Sequence, residues 1–109
     1  MAEPGIAGTL DYMVQRVVAR FHPDRIILFG SHAEGTPTRD SDLDIMVVMP
    51  VEGTRRSKAN EIDLALADRT IPIDVVVVTP DQFERQKNMP GTLIRQVARE
   101  GRTIYERAA

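Results

Sequence analysis

The chain has 109 residues, and its 42% hydrophobic and 28% charged residues are typical of one soluble globular domain. The absence of cysteine excludes disulfides and thiolate metal sites. No apolar run approaches the roughly 20 residues of a membrane span, and the N-terminus lacks the parts of a signal peptide, so we expect a cytoplasmic protein with no membrane partner. A net charge of −2 argues against stable nucleic-acid binding through phosphates alone.

Hydrophobic periodicity and turn residues predict an α/β domain in which a small mixed sheet is flanked by helices. We expect a single domain with an ordered core at about 9–107 and flexible ends. In chain order, the first predicted elements are a helix at 9–21, a strand at 25–29, a loop at 31–41 with room for a helical turn, and a strand at 42–49. A helix at 54–69 and a strand at 71–79 follow. The last elements are a short helix at 81–87, a helix from 93 that stops at the C-cap Gly101, and an edge strand at 102–106. Thr79 is the predicted N-cap of the short helix, and Gln82 completes a capping box.

Two carboxylates open the second predicted strand, where an apolar run begins. Asp42 and Asp44 are two residues apart, so their side chains point to the same face, opposite to Leu43 and Ile45. Asp74 is a third acid within apolar sequence, near the start of the next strand. A strand, helix, strand unit makes these two strands parallel, so Asp74 lies beside the pair if the strands are neighbours.

The loop at 30–41 leads into these carboxylates. If the first strand runs antiparallel to the second, Gly30 and Ser31 at its carboxyl end reach the same corner. Three close carboxylates repel one another, and a hard divalent cation such as Mg²⁺ removes the conflict, with substrate phosphates completing its coordination. Gly30 and Gly35 would let the backbone approach phosphates, and Ser31 could donate hydrogen bonds to them.

The residue pattern resembles the minimal nucleotidyltransferases, or MNT domains, of the DNA polymerase beta-like nucleotidyltransferase superfamily. Their signature, Gly-Ser-x-Ala-x-Gly followed after five residues by Ser-Asp-x-Asp-x-x-Val, is met by Gly30, Ser31, Ala33, Gly35, Ser41, Asp42, Asp44 and Val47. Asp74 matches the third family carboxylate. The resemblance covers about residues 10–107 and implies the polymerase beta-like fold.

The resemblance also implies an activity. Asp42 and Asp44 would bind two Mg²⁺ ions, and Asp74 would bind the second ion and help to deprotonate an acceptor hydroxyl. ATP would be the substrate, held by the signature loop. Bacterial MNT proteins are often antitoxins of HEPN-type RNase toxins, and some transfer AMP from ATP to a tyrosine of that toxin. Oligomers are possible.

The loop departs from the family at two positions. Many relatives carry arginines where this chain has His32 and Glu34, which removes two expected phosphate partners, although Arg39 could compensate. An antitoxin that neutralises its partner by binding alone is therefore an alternative. Transfer to a small molecule such as an aminoglycoside is a third, disfavoured because 109 residues leave no room for an acceptor domain. The basic segment TRRSK at 54–58 is a solvated face, or it meets an acidic partner or the triphosphate.

Overall fold

The computed structural model describes residues 4–34, 42–68 and 71–108, without the side chains of 4–7, 32 and 34. The elements are α1 (Pro4–Phe21), β1 (Arg25–Phe29), α2 (Ser31–Glu34), β2 (Leu43–Val48), α3 (Arg55–Ala65), β3 (Ile73–Val78), α4 (Pro80–Gln86), α5 (Leu93–Glu100) and β4 (Arg102–Glu106). The α/β class and the small mixed sheet are therefore confirmed. Within these residues, no helix combines the length and the apolar character needed to cross a membrane.

The sheet has four strands in the order β3-β2-β1-β4. β1 pairs antiparallel with both β2 and β4, whereas β2 and β3 are parallel and are joined through α3. The expected parallel crossover is present, and the antiparallel β1–β2 pairing on which the position of Gly30 and Ser31 depended is present as well. The amino ends of β2 and β3 therefore meet the carboxyl end of β1 at one end of the sheet.

Alternation along β2 divides the hydrophobic residues between two faces of the sheet. Leu43, Ile45 and Val47 belong to a cluster that includes buried residues of α1 and α3, and we call this side the α1/α3 face. Met46 and Val48 belong to a second cluster with buried residues of α4 and α5, which defines the α4/α5 face. Asp44 has the same parity as Met46, so it lies on the α4/α5 face.

Threonines are the N-caps of α3, α4 and α5. Thr54, Thr79 and Thr92 each accept a hydrogen bond from the backbone N–H three residues later, at 3.0–3.1 Å. The predicted N-cap at Thr79 is confirmed. In the predicted capping box the Gln82 side-chain oxygen would accept from the Thr79 backbone N–H, but Oε1 of Gln82 instead accepts a hydrogen bond from Arg55 at 2.6 Å.

The structure revises one predicted helix end and adds a packing reason for another. α1 begins at Pro4, five residues before the expected start, which is consistent with the preference of proline for the first helical turn. Gly101 is the C-cap of α5 as expected, but its φ of −77° is not left-handed. A Cβ there would lie 2.6 Å from the Val97 carbonyl oxygen and 2.7 Å from Ile27 Cγ2, so close packing requires this glycine.

Candidate active site

The structure brings Asp42, Asp44 and Asp74 to the same end of the sheet. Asp44 lies in β2 opposite Asp74 of β3, and Asp42 immediately precedes Leu43, the first residue of β2. Partners in a parallel register share a face, so the Asp44 and Asp74 side chains are neighbours on the α4/α5 face. This predicted proximity of Asp44 and Asp74 is confirmed, while the catalytic and metal-binding roles of all three acids stay predictions.

Gly30 places the carboxyl end of β1 against this pair. Phe29 is the register partner of Asp44, and the chain then turns at Gly30, whose φ is +76°. A Cβ on Gly30 would collide with the Asp44 carboxylate, lying 3.3 Å from its Cγ. Glycine is therefore required twice here, for the left-handed conformation and for the space that the carboxylate occupies.

The surroundings of the acids are apolar on one side and open on the other. Asp42 and Asp44 are half-buried, and Asp74 is exposed. Phe29 and Val76 lie next to them, half-buried and packed against the cluster of the α4/α5 face. Carboxylates at such a boundary remain accessible to a ligand while the adjacent low-dielectric core strengthens electrostatic interactions with it.

Asp44 and Asp74 match the number of protein carboxylates that Mg²⁺ usually binds, and their metal-binding role stays a prediction. Among the residues that the structure describes, no group of three or more His, Cys, Asp or Glu side chains could hold a metal ion, so Asp42, Asp44 and Asp74 do not form a three-carboxylate metal site in this structure. Mg²⁺ keeps several waters and usually binds one or two protein carboxylates together with substrate phosphates, so a complete protein cage is not required. The adjacent Asp44 and Asp74, with Gly30 leaving room for the Asp44 carboxylate, provide such a pair.

Part of the predicted nucleotide loop lies outside the described residues. Ser31 is described, half-buried at the start of α2, which is the helical turn that the loop could include. The predicted contributions of Gly35, Arg39 and Ser41 fall on residues that the structure does not describe. The predicted roles of all five loop residues, Gly30 and Ser31 included, remain predictions.

The basic segment TRRSK lies at the opposite end of the sheet. Thr54 and Arg55 follow the carboxyl end of β2, whereas the carboxylates lie at the amino ends of β2 and β3. Among the alternatives for this segment, the position disfavours contact with a triphosphate bound at the acids. Arg85 of α4 lines the same cleft as Arg55 and Arg56, a grouping that the sequence did not predict because Arg85 lies 29 positions after Arg56.

A separate polar group, Tyr12, Arg16 and Asp68, joins α1 to the segment after α3. The Tyr12 hydroxyl donates a hydrogen bond to Asp68, which raises the pKa of Tyr12 and lowers the pKa of Asp68. Arg16 lies 3.6 Å from Asp68 and also donates to the Ala65 carbonyl oxygen at 3.1 Å. Tyr12 also packs against the core of the α1/α3 face, so its ring contributes to the packing of α1.

Comparison with known proteins identifies relatives along most of the chain. The nucleotidyltransferase domain family matches residues 10–105. A protein of Methanocaldococcus jannaschii, provisionally named a protein adenylyltransferase, is 34% identical over an alignment of 84 residues that covers 74% of this chain and 77% of that protein.

Two solved structures have a similar fold. One is a provisionally assigned nucleotidyltransferase from Sulfolobus solfataricus, with a TM-score of 0.64 and 17% identity over 98% of this chain and 91% of that chain. The other is a chain of a toxin–antitoxin structure determined with AMP-PNP, with a TM-score of 0.56 and 22% identity over 90% of this chain and 73% of that chain. At these identities, the two structures support the fold alone.

Proposed function

The chain belongs to the nucleotidyltransferase domain family, and we propose that it transfers AMP from ATP to a hydroxyl group of a protein partner. The acceptor that we favour is a tyrosine of a HEPN-type toxin, for which this chain would act as antitoxin. The observation that carries the proposal is the register of Asp44 and Asp74 on one face of the sheet, next to Gly30. Two findings on other proteins agree with it: the provisional name of the archaeal relative, and the toxin–antitoxin structure with AMP-PNP.

The proposed reaction assigns a role to each carboxylate. Asp42 and Asp44 would hold Mg²⁺, and Asp74 would take part in holding a second ion. When bound, Mg²⁺ would neutralise charge on the triphosphate and on the departing pyrophosphate. The acceptor oxygen attacks the α-phosphorus, the bond from that phosphorus to the bridging oxygen of the β-phosphate breaks, and Asp74 accepts the hydroxyl proton.

The exposure of Asp74 favours an acceptor that approaches from solvent. Asp74 lies on the edge strand β3, whereas Asp44 is half-buried on the neighbouring central strand. The ATP side of the reaction would then lie towards Gly30 and Ser31, and the acceptor side towards the sheet edge. A hydroxyl presented by a second protein can reach this edge without rearrangement of the sheet.

A second candidate function is neutralisation of the partner by binding without transfer. The observation that favours it is the presence of His32 and Glu34 at positions where many MNT domains carry arginines. Glu34 adds a negative charge to the predicted nucleotide loop, so nucleotide affinity is the property that separates the two functions.

Two measurements test the proposal. Calorimetric titration of ATP in millimolar Mg²⁺ should give saturable binding, and the same ligand should raise the melting temperature because it stabilises the native state. Incubation with ATP labelled on the α-phosphate, Mg²⁺ and the product of the adjacent gene should then label a tyrosine of that product. Absence of Mg·ATP binding at millimolar concentration would exclude the enzyme and leave the binding function.

A further inference from the structure

A cleft lined by three arginines lies at the sheet end opposite the carboxylates. It has a volume of about 710 Å³, and we call it the arginine cleft. Arg55 and Arg56 of α3 and Arg85 of α4 line it, together with the N-cap residues Thr54 and Thr79. The two helices converge here because each starts just beyond the carboxyl end of one of the paired strands β2 and β3.

The positive charge of the arginine cleft is poorly neutralised within the chain. The Arg55 guanidinium donates to the neutral amide oxygen of Gln82 at 2.6 Å, so this contact orients it without removing its charge. Arg85 pairs with Asp81 at 3.4 Å, but both side chains are mostly exposed, and such pairs are weak. Glu52 and Glu84 are also close in sequence to these arginines, but no acidic side chain is among the described residues that line the cleft.

We propose that the arginine cleft binds an acidic segment of a protein partner. Guanidinium groups bind carboxylates with two parallel hydrogen bonds, and three of them around one cleft suit a peptide with several Asp or Glu residues. A nucleic acid fits less well, since a typical interface neutralises more phosphates and stacks bases on aromatic rings. None of the described lining residues is aromatic, and the whole chain has a net charge of −2.

The position of the arginine cleft sets the distance that a docked partner has to span to reach the carboxylates. A strand of six residues, such as β2, spans roughly 20 Å, so the arginine cleft and the carboxylates lie at two ends of one sheet. A partner that occupies the cleft and presents a hydroxyl at Asp74 has to span that distance, which a folded protein can do. The requirement to span that distance rests on the proposed function, whereas the preference of the cleft for carboxylates does not.

Binding of model polyanions tests the proposal directly. The probes are a fluorescein-labelled peptide of ten glutamates and a fluorescein-labelled thymidine decanucleotide, followed by anisotropy at low salt and at 0.15 M salt. We expect the peptide to bind more tightly than the oligonucleotide. The variant R55E/R56E/R85E should bind the peptide at least tenfold more weakly than the unmodified chain.

A matched variant separates the cleft from general electrostatics. R20E/R99E/R102E changes the net charge by the same amount at exposed arginines outside the cleft, and its peptide affinity should change less than threefold. Circular dichroism and melting temperature check both folds, and R55Q/R56Q/R85Q replaces the first variant if charge reversal prevents folding. Equal weakening by the two matched variants would overturn the proposal, and so would tighter binding of the oligonucleotide.

The outcome is independent of the transfer reaction. The cleft variant should keep the rise in melting temperature caused by Mg·ATP, because the cleft lies away from the carboxylates. If the unmodified chain binds the glutamate peptide but not Mg·ATP, the docking surface stands and the proposed chemistry fails. If it binds Mg·ATP but not the peptide, only the docking surface fails.

Discussion

The two faces of the sheet are covered to different extents. Among the described residues, the cluster of the α1/α3 face has twelve buried members and the cluster of the α4/α5 face has seven. On β2 the contrast occurs between neighbours, since Leu43 is fully buried and Asp44 is only half-buried. On β3, likewise, Ile73 is buried and Asp74 is exposed.

The difference shows how a small domain accommodates adjacent charges. The α1/α3 face continues as an apolar surface to the amino ends of β2 and β3, through Leu43 and Ile73. The α4/α5 face stops being apolar at the same level, where Asp44 and Asp74 replace the expected hydrophobic side chains. Burial on one face can therefore hold the strands in place while the other face stays accessible for chemistry.

Substitution of Asp44 should have the largest effect, because it should reduce transfer activity strongly and leave the stability of the fold nearly unchanged. In Asp44→Asn we expect transfer activity to fall about a thousandfold or more, because a charged ligand at the reacting centre is lost. The melting temperature should stay within a few degrees or rise, because the change relieves repulsion with Asp74. Labelled-ATP transfer and thermal unfolding measure the two effects, and an active Asn variant would contradict the role of Asp44.

Alanine at two adjacent core positions of β2 tests whether both faces contribute stability. Ile45 packs on the α1/α3 face and Met46 on the α4/α5 face, and both are fully buried. Each substitution should lower the free energy of unfolding by about 2–5 kcal/mol, with the larger loss at Ile45, where the cluster is more extensive. Urea unfolding at constant m-value measures this, and a larger loss at Met46 would reverse the comparison.

Two glycines with similar backbone angles form a matched pair. Gly30 and Gly53 have φ values of +76° and +86°, but only Gly30 has a carboxylate where a Cβ would lie. Alanine at either position should cost about 1–2 kcal/mol for the left-handed conformation. Only Gly30→Ala should also displace Asp44 and weaken Mg·ATP binding at least tenfold, as measured by calorimetry. Equal ligand affinity in both variants would show that the contact does not matter.

The smallest effect concerns the pH dependence of the α1/α3 face. The pKa of Asp68 is lowered by folding. Its contribution to the stability of the fold is therefore fully present above pH 3.8 and is lost as the pH falls through the pKa of the folded state. The pKa of Tyr12 is raised by folding, so its contribution to stability is fully present below pH 10.0 and is lost as the pH rises through the pKa of the folded state. The stability difference between the unmodified chain and Tyr12→Phe should therefore be constant between about pH 4 and 10 and shrink outside it. Melting curves across pH 3–11 measure it, and solvent screening keeps it small.

Much of this architecture is predictable because it depends on local patterns. The alternation in β2, the threonine cap at Thr79 and the crossover to β3 all follow from short stretches of sequence, and the structure agrees with each. The strand order does not follow from them, since hydrogen-bond partners between strands are not encoded in periodicity. The convergence of Gly30, Asp44 and Asp74 was therefore conditional on a topology that only the structure supplies.

The role of single glycines is also hard to predict from sequence. Gly30 was expected to let phosphates approach the backbone, and the structure adds that its missing Cβ makes room for Asp44. Gly101 was expected as a helix stop, and the structure adds a packing requirement against Val97 and Ile27. Asp44 and Ile27 are distant in sequence from Gly30 and Gly101, respectively, so no local signal could reveal these two contacts.

The parallel register of β2 and β3 has a consequence for folding fidelity. If β3 paired with β2 one residue out of register, Asp74 would point to the other face and no longer lie beside Asp44. The strand itself, with Val75, Val76, Val77 and Val78 in succession, distinguishes the two alignments only weakly. Asp44 and Asp74 thus lie side by side only in molecules with the native β2–β3 register. The fraction of refolded protein that binds the ligand would therefore measure the fraction of chains with that register.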